Sequence, residues 1–313
     1  MAQADEQPQA PIVGPPLIYV VGLVTVLVLG LNWPIMTWGL ETIAPLWLTS
    51  LRLLGAGLGS GLVLALTGGL RRPPRRDHAV VVSVAVVRLA LVYGLVFSAL
   101  LLVPPGRSSV LVHTTALWAA PIGAWLLHER LSTVKLAGLL LGIGGVVLLT
   151  EPWALRPDSD APLGYAMLLG AAMASAIVTV HVRGHRWSAT PLMLMPWQLL
   201  GAGILTTVAA LAVHGLPTFA GTAREAIVVA YQIVLATGFG LWGILTLGRS
   251  LPAVSSGVLL MAVPAVGVGS SVALVGEIVT PATIAGILLV LAGVGVTIAS
   301  DRRPAPVPPE GAL

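Results

Sequence analysis

Residues Ala44–Gly57 (APLWLTSLRLLGAG) and Thr190–Gly203 (TPLMLMPWQLLGAG) are alike after a shift of 146 positions. A second correspondence, shifted by 148 positions, pairs residues 128–132 (HERLS) with residues 276–280 (GEIVT). Two matches at nearly the same offset indicate an internal duplication. The repeated stretches therefore predict two copies of one structural unit.

The composition is that of a membrane protein. Of 313 residues, 57% are hydrophobic and only 9% are charged, and the mean hydropathy is +0.97. A bilayer core needs about 20 apolar residues per helix, and this predicts an all-α integral membrane protein with ten transmembrane helices. In chain order the predicted spans are Leu17–Trp38, Pro45–Thr67, Ala79–Val103, Ser108–Leu127, Ser132–Thr150, Leu163–Val182, Pro191–His214, Glu225–Leu247, Ala253–Gly276 and Thr280–Ser300.

The spans divide into two repeats of five helices, at residues 17–150 and 163–300. Because five is an odd number, the second copy enters the membrane from the opposite face, so the repeat is inverted. Many secondary transporters are built this way and move substrates by alternating access at the repeat interface. The ends of the chain, residues 1–16 and 301–313, are rich in proline, and we expect them to be disordered.

The basic residues outside the spans or at their ends are distributed unevenly. Eleven Lys and Arg fall on the face that holds both ends of the chain, and only Arg107, Arg156 and Arg224 fall on the other. The positive-inside rule then predicts cytoplasmic termini and an inner (plasma) membrane location. Scattered basic residues explain the net charge of +4 better than a nucleic-acid surface does, so we expect no nucleic-acid partner.

Several of these residues follow the pattern of a known family. Residues 128–132 and 276–280 resemble a Gly-Glu-Arg-Leu-Thr-like turn that the family has in each half. Arg52 matches an arginine in the family's second helix, and Asn32-Trp33-Pro34 lies where the family usually has Trp-Gly near the first helix. The chain between its tails resembles the drug/metabolite transporter superfamily, EamA type, and is similar to aromatic amino acid exporters. The resemblance implies a ten-helix transporter of amino acids or other small metabolites. His128 and Ile278 depart from the pattern, which leaves the substrate unassigned.

Two arginines, Arg52 and Arg88, fall inside predicted spans. An arginine near the centre of a membrane helix costs about 2.5 to 3.5 kcal/mol on insertion scales and therefore needs a cavity, a partner or a function. No Asp or Glu lies within a predicted span away from its ends, so we expect an electropositive cavity that selects a carboxylate or another anion. Arg88, nearest the midplane, is the preferred substrate ligand. Arg52 suits either a substrate contact or a structural role near the interface.

Further candidate substrate-binding residues are polar or aromatic side chains within the spans: Asn32, Trp33, Tyr93, His113, Trp118, Gln198, Tyr231 and Trp242. Each also suits helix packing or interhelical hydrogen bonding. Gln198 occupies in the second copy the position of Arg52 in the first. A deeply placed histidine such as His113 is a candidate proton relay.

Prolines within or near the spans predict kinks at Pro34, Pro121, Pro196 and Pro264. Such kinks suit alternating access around a central cavity.

No metal-ligand spacing or catalytic motif is present and cysteine is absent, so we expect no enzyme activity, cofactor or metal. The expected partners are a small-molecule substrate and the lipid bilayer. Small-residue faces at Gly55–Gly59 and Gly142–Gly145 suit helix packing or a homodimer. A channel, and a transporter of phosphorylated or nucleotide-linked sugars or other small anions, remain open alternatives.

Overall fold

The structure is a computed structural model that describes residues 15–127, 132–154, 159–251 and 253–300. All regular secondary structure in these ranges is helical, and ten helices are long and apolar enough to cross a membrane. They are numbered α1 to α10: Leu17–Leu40, Pro45–Leu66, Arg75–Ala99, Pro105–Leu126, Thr133–Ala154, Ala161–Gly184, Pro191–His214, Ala223–Ser250, Ser255–Val275 and Pro281–Ala299. The ten predicted spans are confirmed to within a few residues. Residues 1–14, 128–131 (with Glu129), 155–158, 252 and 301–313 lie outside the described residues.

Proline accounts for several helix starts. Pro45, Pro105 and Pro191 stand in the first turns of α2, α4 and α7, where the missing N–H would have no helical partner in any case. Helix α4 therefore begins three residues before the predicted Ser108. Helix α3 begins four residues before the predicted Ala79, because a 3₁₀ turn at Arg75–Asp77 precedes it.

Helix packing follows the duplication. Helices α2, α4 and α5 pack against their own counterparts α7, α9 and α10, while α1 packs on α8 and α9 just as α6 packs on α3 and α4. This exchange of partners is the pattern of a pseudo-twofold axis between the halves. With five helices in each half, the two copies are inverted relative to the membrane.

The α5–α10 contact is made by glycine. A Cβ built on Gly145 would lie 2.8 Å from the carbonyl oxygen of Gly286, and one on Gly138 would lie 2.8 Å from that of Gly293. No side chain fits at these distances, so the two backbones meet directly, as at other small-residue interfaces in membranes. Most of the predicted glycine face of α5 is thus used within the chain, although Gly144 faces open space. A homodimer stays a prediction.

Two pairs of corresponding helices share the same irregularities. A π-helical segment occupies Val84–Leu91 in α3 and Tyr231–Phe239 in α8. The α-helix is interrupted at Thr114 in α4 and at Met261 in α9. Segments of this kind often occur at functional sites because they redirect side chains locally.

The four prolines predicted to kink helices lie inside them, at Pro34, Pro121, Pro196 and Pro264. Of the two interruptions, the one at Met261 lies in the turn before Pro264. The one at Thr114 has another cause, because the hydroxyl and the backbone N–H of Thr114 both donate to the carbonyl of Leu111, at 2.6 and 3.1 Å.

Candidate substrate cavity

Two adjoining chambers lie between the inverted halves, and together they are called the cavity. The large chamber has a volume of about 480 Å³ and is lined by α3, α4, α6, α9 and α10. The small chamber, of about 150 Å³, is lined by α1, α2, α3, α4 and α9. Val92, Tyr93, Val112 and His113 line both chambers. A cavity at the interface of two repeats is where transporters of this architecture bind substrate.

The chambers are stacked along the membrane normal. We name the face where α1 begins and α10 ends the terminal face, and the other the distal face. Helix α6 contributes Thr179, near its terminal-face end, to the large chamber, and α9 contributes Gly257 from the same side. The small chamber takes Arg52 from the distal half of α2. The large chamber therefore lies towards the terminal face.

A polar cluster joins the helix ends at the distal face. Arg107, in the first turn of α4, donates to Glu151 at 2.9 Å, to Thr283 at 3.0 Å and to the hydroxyl of Tyr165 at 3.3 Å. The hydroxyl of Thr280 donates to Glu151 at 2.5 Å. The cluster links α4, α5, α6 and α10. From the sequence, Arg107 contributed only to the orientation of the chain. Its pairing with Glu151 could have been predicted, because the two residues carry opposite charges at helix ends on the same face.

Glu277 caps the start of α4 across the two halves. Its carboxylate accepts the backbone N–H groups of Gly106 at 2.7 Å and Arg107 at 3.1 Å. Burial raises the pKa of the Glu277 carboxyl, and these two N–H groups and the charge of Arg107 offset only part of that effect. The glutamate of the second predicted turn therefore fixes the fourth helix of the first half. Its counterpart, Glu129, lies outside the described residues.

Arg52 is buried in the wall of the small chamber, with only 5% of its surface exposed. Its Nε donates to the hydroxyl of Thr237 at 2.6 Å and its Nη1 to Oε1 of Gln232 at 3.0 Å, both in the π-helical segment of α8. The guanidinium also lies 4.5 Å from the ring centroid of Tyr93, a cation–π contact. Among the described residues none accepts a hydrogen bond from Nη2, so this nitrogen is left for the chamber.

Arg88 has a different environment, on the π-helical segment of α3. Its side chain is exposed in the large chamber, and Nη1 donates to the hydroxyl of Thr179 at 3.1 Å. That hydroxyl already donates to the carbonyl of Ser175 at 2.8 Å. Most of the donors of Arg88 therefore remain open to a ligand.

The cavity carries positive charge without an anionic partner. Of the residues that the structure describes, no Asp or Glu lines either chamber. Arg52 is held by neutral groups, and Arg88 by one hydroxyl. Both charges therefore act on whatever occupies the cavity, as the sequence led us to expect.

His113 stands where the chambers meet. Its Nδ1 lies 2.7 Å from the carbonyl oxygen of Ser109. A carbonyl only accepts, so Nδ1 carries the hydrogen and Nε2 of the neutral ring carries the lone pair. The ring lies 6.5 Å from that of Trp33. A role in proton transfer stays a prediction.

Six of the ten predicted substrate-binding residues line the cavity: Asn32, Trp33, Arg52, Arg88, Tyr93 and His113. The other four line neither chamber: Trp118, Gln198, Tyr231 and Trp242. Tyr231 instead donates its hydroxyl to the carbonyl of Val28 at 2.7 Å and so joins α8 to α1. Trp118 packs at the α4–α6 contact, Trp242 is exposed, and Gln198 is partly buried in α7.

Two acids missed by sequence analysis tie the halves together. Asp77 and Glu225, 148 positions apart, stand at the starts of α3 and α8. Asp77 accepts the backbone N–H of Ser188 at 3.1 Å and a hydrogen bond from His185 at 2.9 Å. Glu225 accepts the hydroxyl of Thr42. Each acid thus fixes the loop between the first two helices of the other half.

Inverted five-helix halves around a charged central cavity define a multi-pass membrane transporter. The chain belongs to the EamA-like transporter family, whose sequence model matches it twice, at residues 16–151 and 162–299. This membership also makes it a transporter and not an enzyme.

Named relatives agree with this assignment. The chain is 27% identical over 299 residues to a probable amino-acid metabolite efflux pump of Escherichia coli (strain K12), across 89% of this chain and 94% of that protein. It is 26% identical to the protein of the same name in Salmonella typhimurium, across 90% and 94%. An uncharacterized transporter of Bacillus subtilis, YoaV, is 23% identical across 87% and 94%.

A solved crystal structure has the same fold. It superposes with a TM-score of 0.64 at 20% identity, covering 93% of this chain and 100% of that one. At this identity the match shows the fold alone.

Proposed function

We propose that this transporter exports amino acids or similar small metabolites across the inner membrane by alternating access through the two-chamber cavity. The observation that carries the proposal is the pair of arginines, Arg52 and Arg88, in one cavity lined by no described acid. Such a cavity favours a substrate with a carboxylate. Two relatives named as probable amino-acid metabolite efflux pumps support the same substrate class.

The orientation follows from the basic residues. With the terminal face in the cytoplasm, as the positive-inside rule predicts, the large chamber lies on the cytoplasmic side. The Arg107–Glu151 cluster then closes the outer ends of the helices. In this arrangement an exporter would load its substrate from the cytoplasm.

Arg88 has the role of first contact for the substrate carboxylate, because it is exposed in the chamber nearer the terminal face. Its single hydroxyl partner leaves donors free for that contact. Positive charge in a low-dielectric cleft also raises the local concentration of anions.

A second candidate function is exchange of phosphorylated or nucleotide-linked sugars or other small anions. The two arginines favour it as well, since guanidinium groups bind phosphate in two-point contacts. Counterflow in proteoliposomes separates the candidates, with labelled amino acids in one arm and labelled hexose phosphates in the other. Exchange of amino acids alone supports our proposal, and exchange of hexose phosphates alone overturns it.

Arg88→Met tests the binding site in the same assay. Loss of a hydrogen bond to a charged group costs about 1.5 to 3 kcal/mol, so amino-acid counterflow should fall roughly tenfold or more. The matched control is Arg249→Met at the terminal-face end of α8, which should retain counterflow. Equal rates for Arg88→Met and the wild type would remove Arg88 from the site.

A further inference from the structure

We infer that the small chamber binds the head group of an α-amino acid, with Arg52 taking the carboxylate and Asn32 the ammonium group. The inference rests on the proposed function and adds which two side chains recognise the substrate.

Asn32 supplies an unused acceptor. It lies on α1, is 7% exposed and lines the small chamber. Its Nδ2 donates to the sulfur of Met36 at 3.4 Å. A thioether accepts but does not donate, so the amide must turn its nitrogen towards the sulfur. Its Oδ1 is then buried without a hydrogen-bond partner, which is costly for a polar atom unless a ligand supplies a donor.

Arg52 supplies the complementary donor beside it. Nε and Nη1 are held by Thr237 and Gln232, and Nη2 is the nitrogen left for the chamber. Nη1 of Arg52 also points at the sulfur of Met36, at 3.8 Å. Asn32 and Arg52 therefore approach the same sulfur atom, so their side chains are neighbours in the wall of the small chamber.

An α-amino acid matches this pair. Its carboxylate accepts hydrogen bonds and its ammonium group donates them, and the two groups are attached to the same carbon. The phosphate dianion of a phosphate ester offers the chamber only acceptors. It would satisfy Arg52 but leave Oδ1 of Asn32 facing other lone pairs.

The size of the chamber agrees with a head group. A volume of about 150 Å³ corresponds to about five water molecules at about 30 Å³ each, and the amino-acid head group has about as many non-hydrogen atoms. The side chain of a bound amino acid would pass Tyr93 and His113 into the large chamber of about 480 Å³, where many side chains fit.

The test is competition for counterflow of a labelled mixture of the twenty amino acids by three probes. Phenylalanine carries both head-group charges, 3-phenylpropionate lacks the ammonium group, and phenylalaninamide lacks the carboxylate. Asn32→Leu removes Oδ1 at similar volume. We expect the preference for phenylalanine over 3-phenylpropionate to fall about ten- to a hundredfold, while the preference over phenylalaninamide is kept. Arg52→Lys should lower only the latter preference.

The control is Thr25→Val, two turns earlier on α1, whose buried hydroxyl donates to the carbonyl of Val21. It should leave both preferences unchanged. If Asn32→Leu does not fold, Asn32→Ser gives the same readout, because its hydroxyl has a shorter reach.

The outcomes of this experiment distinguish failure of the proposed function from failure of this inference. A wild type that exchanges no amino acid overturns the proposed function, and this inference with it. A wild type that exchanges amino acids, together with an Asn32 variant of unchanged preferences, overturns this inference alone. In that case Oδ1 is satisfied by water.

Discussion

The two chambers of the cavity hold the same charged group in opposite ways. In the small chamber Arg52 is buried and fixed by Thr237, Gln232 and the ring of Tyr93. In the large chamber Arg88 is exposed and has one hydroxyl partner, Thr179. The small chamber is therefore built around its arginine, whereas the large chamber only carries one on its wall. An intramembrane arginine can be part of the fold and of the site at once.

The largest expected effect is a difference in stability between variants of the two arginines. Arg52→Met leaves the buried acceptors of Thr237 and Gln232 unpaired, and each such loss costs about 1 to 3 kcal/mol. We expect the free energy of unfolding to fall by about 3 kcal/mol, against less than about 0.5 kcal/mol for Arg88→Met. Denaturant titration in detergent micelles measures both. Equal destabilisation would remove the distinction between the chambers.

A smaller loss of stability is expected at the contact between α5 and α10, the helix that forms one wall of the large chamber. Helix α10 lines that chamber with Val290 and Val294 and packs through its glycines on α5. In Gly145→Ala the new Cβ would lie 2.6 Å from the backbone nitrogen of Val290, so α10 must shift. Overpacking of this kind costs about 1 to 3 kcal/mol.

The control for this prediction is Gly144→Ala on the same helix, where no atom lies within 4 Å of the new Cβ. Its stability should match or slightly exceed that of the wild type. Thermal unfolding in detergent compares the two variants, and equal midpoints would contradict the tight α5–α10 contact.

The smallest effect concerns α4, which lines both chambers and whose start is capped by Glu277. The pKa of Glu277 is raised in the folded protein, so its favourable contribution is present below the ordinary carboxyl pKa and is lost as pH rises through the raised value. The unfolding midpoint of the wild type minus that of Glu277→Gln should therefore increase as pH falls from 8 to 5. A constant or decreasing difference would contradict a raised pKa of Glu277 in this range.

Much of the fold was predictable because membrane helices are read from apolar length. The duplicated stretches gave the repeat, and five helices per copy gave its inversion. The cost of a buried charge likewise directed attention to Arg52 and Arg88, which both line the cavity.

The sequence was less informative about which side of a helix faces the cavity. These helices are apolar all round and lack the stripe that orients a helix in a soluble protein. Tyr231, Gln198 and Trp242 were therefore selected by depth alone, and they lie elsewhere. The sequence also did not show that Thr237 and Gln232 are the acceptors of Arg52, since they lie 185 and 180 positions away in a π-helical segment of α8.

The matching interruptions at Thr114 and Met261 occupy corresponding positions in the two copies of the repeat. They are 147 positions apart, nearly the offset that separates the two copies, and the π-helical segments of α3 and α8 are spaced in the same way. Independent origin would require each irregularity to arise twice at the same place. The broken fourth helix is therefore a property of the repeat, present in both copies although a threonine accompanies the break in one and a proline in the other.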